Sequence, residues 1–239
     1  MSVRDPDGQG VQVQLPVFTR AMRVAAAVFG VVWLLEALLS GTRFLGAQGN
    51  ALGPFQWLAL TPASVLRGEV WRLATYALLH DPHAIVSVIF TVLTLWFFGG
   101  DLERRMGLKR LGLLAMMATL MGSVLVTLAG ALYLPLAYAA VVGPGAAGAA
   151  MAVAWGRGVG EQPMSFFGVV KLTGKQFTYV MVGLVLVGLL VARNGAALAS
   201  VGGLVAGFVF GRKRPPPPRS RTVSSPRLKV VRGGKDLPN

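Results

Sequence analysis

The feature that most constrains this chain is the length of its stretches without a charged side chain. Residues 84–100 and 111–156 contain no Asp, Glu, Lys or Arg. A membrane-spanning helix needs about 20 mostly apolar residues. Only 13% of the residues are charged, whereas a soluble domain carries roughly a quarter. We therefore expect an all-α, multi-pass integral membrane protein.

Six apolar segments are predicted to span the membrane. The uncharged stretch 111–156 is too long for one helix and is predicted to break at Leu134-Pro135, because proline interrupts a helix. The resulting spans lie at residues 21–39, 84–100, two within 111–156, 176–192 and 195–211. We expect a cytoplasmic segment at 1–20, a six-helix membrane domain at 21–211, and a basic, proline-rich disordered tail at 212–239.

Basic residues fall in alternate connections between these segments. They follow the second segment (Arg104, Arg105, Lys109, Arg110), the fourth (Arg157, Lys171, Lys175) and the sixth (Arg212, Lys213, Arg214). The positive-inside rule then places both termini on the cytoplasmic side of the cell (inner) membrane. The net charge of +14 is explained by contact with anionic lipids, which disfavours nucleic acid as the partner.

Small residues recur every four positions in the last segment. Gly195, Ala199, Gly203 and Gly207 fall on one helical face, and Gly211 extends the series. Small side chains at this spacing let another helix backbone approach closely, which is how helices associate in lipid. The pattern predicts a tightly packed face inside the membrane domain.

This run resembles the sixth helix of the rhomboid family, whose pattern is GxxxAHxxGxxxG, with Ser200 in place of the histidine. The first loop, which contains Trp71-Arg72 and then His80, is similar to the WR loop of that family. The sequence Gly145-Ala-Ala-Gly148 stands where rhomboid proteases have GxSG. The resemblance covers about residues 58–211 and implies a six-helix rhomboid-like bundle with a first loop anchored by Trp71 and Arg72 at the outer interface.

The resemblance also implies where catalytic groups would lie. Ala147 occupies the position of the family's catalytic serine, and Ser200 occupies that of its catalytic histidine. Ser87 and Thr91 occupy the positions of the side chains that stabilise the oxyanion in the family's proteases. A methyl group cannot attack a carbonyl, and a hydroxyl is too weak a base near neutral pH. We therefore predict no catalytic residue, and we expect the small hydroxyls to bond to their own helix backbone. The remaining site positions are structural or binding ones: Trp71, Arg72, Gly145, Gly148, Gly195, Ala199, Gly203 and Gly207.

The function expected from these residues is that of a catalytically inactive rhomboid-like protein. Rhomboid-family members that lack the catalytic serine and histidine suggest that the protein binds transmembrane helices of client proteins, in quality control, trafficking or scaffolding. No metal or cofactor is expected, and the absence of cysteine excludes a thiolate site.

Two alternatives stay open at this point. One is an active rhomboid-type intramembrane serine endopeptidase with a non-standard nucleophile, for which His80 and His83 are the two available imidazoles. The other is a membrane anchor whose working part is the basic tail. Glu36, a carboxylate inside an apolar segment, is expected near the outer end of its helix, within reach of water.

Overall fold

The computed structural model of the protein describes residues 18–41, 53–81, 84–161, 163–166 and 170–210. Nearly all of this part is helical. The helices are α1 (Arg20–Gly41), α2 (Pro62–Leu66), α3 (Arg72–Thr75), α4 (Ile85–Thr94), α5 (Gly100–Met106), α6 (Leu108–Leu132), α7 (Leu134–Ala137), α8 (Gly145–Val159), α9 (Gly174–Ala192) and α10 (Gly195–Phe210). Short 3-10 turns cover Gly53–Trp57 and Tyr76–Leu78, and a π-helical segment, Leu95–Gly99, joins α4 to α5.

In the described part of the chain, four helices are long and apolar enough to cross a membrane. They are Arg20–Leu39, Ile85–Met106, Leu108–Leu132 and Gly174–Ala192. The other two predicted spans form α8, which has 15 residues, and α10, which is described over 16 residues up to Phe210. The break predicted at Leu134-Pro135 is confirmed, because α6 ends at Leu132 and α7 begins at Leu134. The count of six spans, the orientation and the domain boundaries stay predictions, and residues 211–239 lie outside the described part.

Helix α8 forms the centre of the bundle. Ten of its residues are buried, most of them alanines, and α10 and α6 lie against it. The contact with α10 is made by backbone: a Cβ on Gly203 would collide with the Ala146 carbonyl, and one on Gly207 would lie 2.9 Å from the Ala150 carbonyl oxygen. The Gly203 and Gly207 part of the predicted small-residue face therefore packs against α8, whereas Ala199 lies against Gly122 of α6.

The first loop covers one end of the bundle, which we call the loop end. Leu60 and Val141 exchange backbone hydrogen bonds of 3.0 and 2.8 Å, joining the loop to the segment before α8. The Tyr76 hydroxyl donates to the Thr119 carbonyl at 3.1 Å, and the Tyr76 carbonyl accepts from the Gly143 amide at 3.0 Å. The loop is thus fixed to α6 and to the segment that leads into α8.

The opposite end, where α5 lies and α6 begins, is called the basic end here. Asp101 binds Arg105 at 2.6 Å and accepts a hydrogen bond from the Trp155 indole at 2.9 Å. The rings of Phe98, Trp155 and Phe177 meet with centroids 5.2–5.6 Å apart. These contacts join α5, α8 and the start of α9.

A short antiparallel hairpin interrupts the helical architecture between α8 and α9. Strands β1 (Pro163–Phe166) and β2 (Val170–Thr173) pair in the register Pro163 to Thr173 and Phe166 to Val170. No pattern in the sequence predicted this hairpin. It leads directly into α9, whose start carries a capping box formed by Thr173 and Gln176.

Substitution of Gly203 tests the backbone contact between α10 and α8. We expect Gly203→Ala to destabilise the protein by about 1–3 kcal/mol, because the added methyl group meets a fixed backbone carbonyl. The matched control is Gly188→Ala in α9, where a Cβ meets nothing within 4 Å and alanine favours the helix by up to about 1 kcal/mol. Unfolding in mixed micelles against the fraction of SDS measures both changes. Equal stability of the two variants would contradict the packing described.

Candidate functional site

A cavity of about 720 Å³ is lined by residues of α1, α4, α6, α8, α9 and α10. One arm, which we call the site arm, lies between α4, the start of α8, α9 and the start of α10. The other, the α1–α6 arm, is lined by one face of α1 and one face of α6. The described lining contains no charged side chain, and its polar side chains are hydroxyls: Ser87, Thr91, Thr94, Thr119 and Ser200.

The start of α8 forms one wall of the site arm. Gly143 has a φ of 110°, a conformation that favours glycine, and Pro144 caps the helix that begins at Gly145. A Cβ on Gly145 would lie 2.9 Å from the Ser200 hydroxyl oxygen. The Gly143-Pro144-Gly145 turn therefore places the start of α8 directly beside residue 200 of α10.

Ala147 and Ser200 both line the site arm. Ala147 presents only a methyl group there, with 8% of the residue exposed. The Ser200 hydroxyl donates to the Ala196 carbonyl at 3.1 Å, within its own helix. The structure thus brings together the two positions that the sequence analysis assigned to the family's serine and histidine. Neither side chain provides a nucleophile paired with a base.

Ser87 and Thr91 line the same arm from α4. The Thr91 hydroxyl donates to the Ser87 carbonyl at 2.9 Å, as expected for a hydroxyl inside an apolar helix. Its oxygen lies 3.0 Å from Nε2 of His80, a contact that the sequence analysis missed. Since the hydroxyl proton goes to Ser87, Nε2 of His80 is assigned as the donor to Thr91.

His80 is completely buried and is held from both sides. Its backbone amide donates to the Glu36 carboxylate at 3.0 Å, and its ring meets Phe29 edge-on at 5.5 Å. Nδ1 of His80 makes no hydrogen bond to the described residues. This cluster joins α1, the first loop and α4 at the edge of the site arm. His83, the other imidazole, lies outside the described residues.

The expectation for Glu36 was wrong. Glu36 has no exposed surface, whereas the sequence analysis placed it within reach of water. The first loop folds back over α1, so the His80 amide takes the place of solvent as its hydrogen-bond partner. The signal available in the sequence was the carboxylate itself, alone in an apolar segment.

Arg72 lies in the interior of the loop, with 5% of its surface exposed, and its place at the outer membrane interface stays a prediction. Its guanidinium donates to Glu69 at 2.6 Å and to the carbonyls of Gln56 and Ala59 at 2.6 and 2.7 Å. Trp71 is about half exposed and donates to the Trp57 carbonyl at 3.1 Å. Arg72 therefore holds the first loop together from inside, and Trp71 covers it.

The remaining predicted positions are distributed between the cavity and the packed core. Gly148 lines the site arm, and a Cβ there would make ordinary contact with Thr94 at 3.6 Å. Gly195, Ala199, Gly203 and Gly207 are all buried in helix contacts. Among the described residues, no group of three or more His, Asp or Glu side chains could hold a metal ion.

The fold and the site together define a class of protein. The chain is an α-helical membrane protein with a central, largely buried helix and a mostly apolar cavity whose described polar side chains are hydroxyls. A family model described as Rhomboid domain matches residues 67–215. The chain belongs to the rhomboid family, and the match includes Ser87, Thr91, Ala147 and Ser200.

Acidification tests the buried state of His80. Burial lowers the pKa of His80 below its ordinary 6.5, with a smaller opposing contribution from the Leu78 backbone. The folded protein then binds fewer protons than the unfolded chain, so the stability is fully present above about pH 6.5 and is lost as pH falls below it. We expect the Tm of the wild type and of His83→Gln to fall between about pH 7.5 and about pH 5.5.

The corresponding fall in His80→Gln should be smaller, because the titrating group is gone. The measurement is the unfolding temperature in detergent, read from Trp fluorescence across the pH series. Equal falls in His80→Gln and His83→Gln would show that His80 is not the group responsible.

Proposed function

We propose that this rhomboid-family protein is catalytically inactive and binds transmembrane segments of other membrane proteins, in quality control, trafficking or scaffolding. Acyl transfer requires a nucleophile within hydrogen-bond reach of a base. The observation that carries the proposal is that Ala147 and Ser200 both line the site arm. Ala147 has only a methyl group there, and the Ser200 hydroxyl is bonded to its own helix.

The shape and chemistry of the site arm support a helical partner. Phe90 and Thr94 of α4 line one side, and Met181 and Val185 of α9 line the other. Phe90 is 64% exposed, and much of the surface of α4 and α9 beside it is apolar. A transmembrane segment has the same apolar character, and the hydroxyls of Ser87 and Thr91 offer it weak polar contacts. Methionine and aromatic side chains adapt to varied partner shapes.

We further propose six spans, with both termini on the cytoplasmic side of the cell (inner) membrane. The arrangement of positive charge supports this orientation. Arg104, Arg105, Lys109 and Arg110 lie at the basic end, and the start of α1 reaches the same end because Thr19 donates to Glu103. Anionic lipids are the partners that such an end favours, and nucleic acid is disfavoured.

One observation favours a second candidate, an active rhomboid-type intramembrane endopeptidase whose nucleophile is a non-standard hydroxyl. Nε2 of His80 lies 3.0 Å from the Thr91 oxygen, which is the distance of a nucleophile and its base. Two features weigh against it. The Thr91 proton is donated to Ser87, and the ring of His80 is closed off from water. We therefore rank this candidate second.

Labelling with a fluorophosphonate separates the two candidates. We expect no labelling of the wild type, since no activated hydroxyl lies in the site arm. The double variant Ala147→Ser with Ser200→His should acquire labelling, because both positions line the same cavity, and Ala147→Ser alone should not. In-gel fluorescence measures the product, with an active rhomboid protease as positive control and an unfolding curve to verify each variant.

Labelling of the wild type at one hydroxyl would support the endopeptidase, and its loss in Thr91→Val would assign the nucleophile. A folded double variant that stays unlabelled would contradict the proximity of residues 147 and 200.

Photocrosslinking tests the proposed binding of helices. A benzophenone amino acid in place of Phe90 should form adducts with transmembrane segments of other proteins, identified by mass spectrometry of the crosslinked peptides. The matched position is Leu128 on α6, which is 60% exposed but does not line the cavity. Adding Gly148→Leu should reduce the Phe90 adducts severalfold, since the side chain enters the site arm. Equal yields at Phe90 and Leu128, or no effect of Gly148→Leu, would contradict the proposal.

A further inference from the structure

The α1–α6 arm of the cavity forms a groove, called the α1–α6 groove from here on, whose lining residues differ from those of the site arm. On α1 it is lined by Met22, Ala25 and Phe29, and on α6 by Leu111, Ala115 and Met116. Their spacings of three and four residues place each set on one face of its helix. None of the four positions that correspond to the family's catalytic groups belongs to these two faces.

The groove is apolar and open to the surroundings of the bundle. Met116 is 48% exposed and Leu108, which also lines the groove, is 53% exposed. A Cβ built on Gly112, between them, would meet nothing within 4 Å. The groove can therefore hold an apolar ligand without displacing any side chain.

Its length matches one leaflet of a bilayer. The lining of α6 extends from Leu108 to Thr119, which corresponds to about 16 Å along the helix. Half of a hydrocarbon core about 30 Å thick is about 15 Å. A transmembrane helix would need twice this length, so the groove fits a lipid chain better than a spanning segment.

In the described part of the chain, several cations without a salt bridge lie at the basic end, in the first turns of α1 and α6. They are Arg20 and Arg23 on α1 and Lys109 and Arg110 on α6, and all four are exposed. Arg104 and Arg105, by contrast, are paired with Asp101. Glu103, a carboxylate at this end, accepts a hydrogen bond from the Thr19 hydroxyl.

The start of α6 adds to this positive end. Helix α6 has 25 residues, begins after Gly107 and has no side-chain cap. Its first backbone amides therefore lack a side-chain acceptor, and the helix dipole favours an anion at this point. The apolar groove thus ends in a region that suits a phosphate group.

We propose that the α1–α6 groove binds an anionic phospholipid from the leaflet at the basic end. One acyl chain lies between the two helix faces, and the phosphate contacts Lys109 and Arg23 near the start of α6. This site rests on the proposed preference of the basic end for anionic lipids, but it shares no position with the site arm residues, so the binding of helices there can fail without affecting it.

The experiment uses the full chain in phosphatidylcholine vesicles that contain a minor fraction of phosphatidylglycerol. A benzophenone amino acid replaces Met116 in the groove or, as the matched control, Val180 on α9, which is also 48% exposed, lies at a similar distance from the basic end and does not line the cavity. Mass spectrometry measures which lipid forms each adduct. We expect phosphatidylglycerol to be enriched severalfold over its share of the membrane at Met116, and not at Val180.

Two variants locate the headgroup and the chain. Lys109→Gln should lower the enrichment at Met116 by about fivefold, the factor that one cation near an anionic lipid contributes. Gly112→Leu should abolish it by filling the groove, whereas Gly188→Leu, at another open glycine, should leave it unchanged. Adducts in proportion to bulk lipid at Met116, or an enrichment unaffected by Lys109→Gln and Gly112→Leu, would overturn the proposal.

Discussion

The contact between the backbones of α8 and α10 is the constraint on which the rest of the structure depends. Lipid tails are as apolar as the helices themselves, so helices in a membrane associate through close packing rather than through the hydrophobic effect. Gly203 and Gly207 bring α10 against the carbonyls of Ala146 and Ala150. This contact fixes the rotation of α8 and thereby directs Ala147 and Gly148 toward the cavity. Ser200, one turn before Gly203, is placed at the same wall.

The polar groups around the cavity follow from the same environment. Where water is absent, a hydroxyl bonds to the nearest backbone carbonyl, and Thr91 and Ser200 do so at 2.9 and 3.1 Å. Glu36 accepts a hydrogen bond from a backbone amide of the first loop. These polar groups are thus bonded to backbone groups close to them, whereas Nδ1 of His80 has no hydrogen-bond partner among the described residues.

Local patterns in the sequence predicted much of this architecture. The four-residue spacing of small residues in α10 and the Leu134-Pro135 break depend on neighbouring residues alone, and both are present in the structure. The π-helical segment and the β hairpin were not predicted. A π turn in an uncharged stretch has the same composition as an α turn, and the two hairpin strands have only four residues each, too few for a clear alternating pattern. Hydropathy likewise cannot show that α8, with 15 residues, is shorter than a spanning helix.

Contacts between distant parts of the chain were the least predictable. The Glu36–His80 hydrogen bond joins residues 44 positions apart, and the His80–Thr91 contact requires the first loop to fold against α4. Arg72 was expected to anchor the loop, but its carbonyl partners, Gln56 and Ala59, could not be identified from the sequence. The positions of the candidate site were therefore predictable from motifs, while their hydrogen-bond partners were not.

Helix α9 is attached at both of its ends. At one end Gly174 lies against the backbone of Gly156, and at the other a single residue, Asn194, separates the left-handed Arg193 from the start of α10. A helix that is held at both ends can bend along its length but cannot rotate outward about one end. The other wall of the site arm, α4, continues into the π-helical segment Leu95–Gly99, and we expect any widening of the arm to bend the chain there. Gly99 of this segment packs closely against Met22, so such a bend would also displace α1.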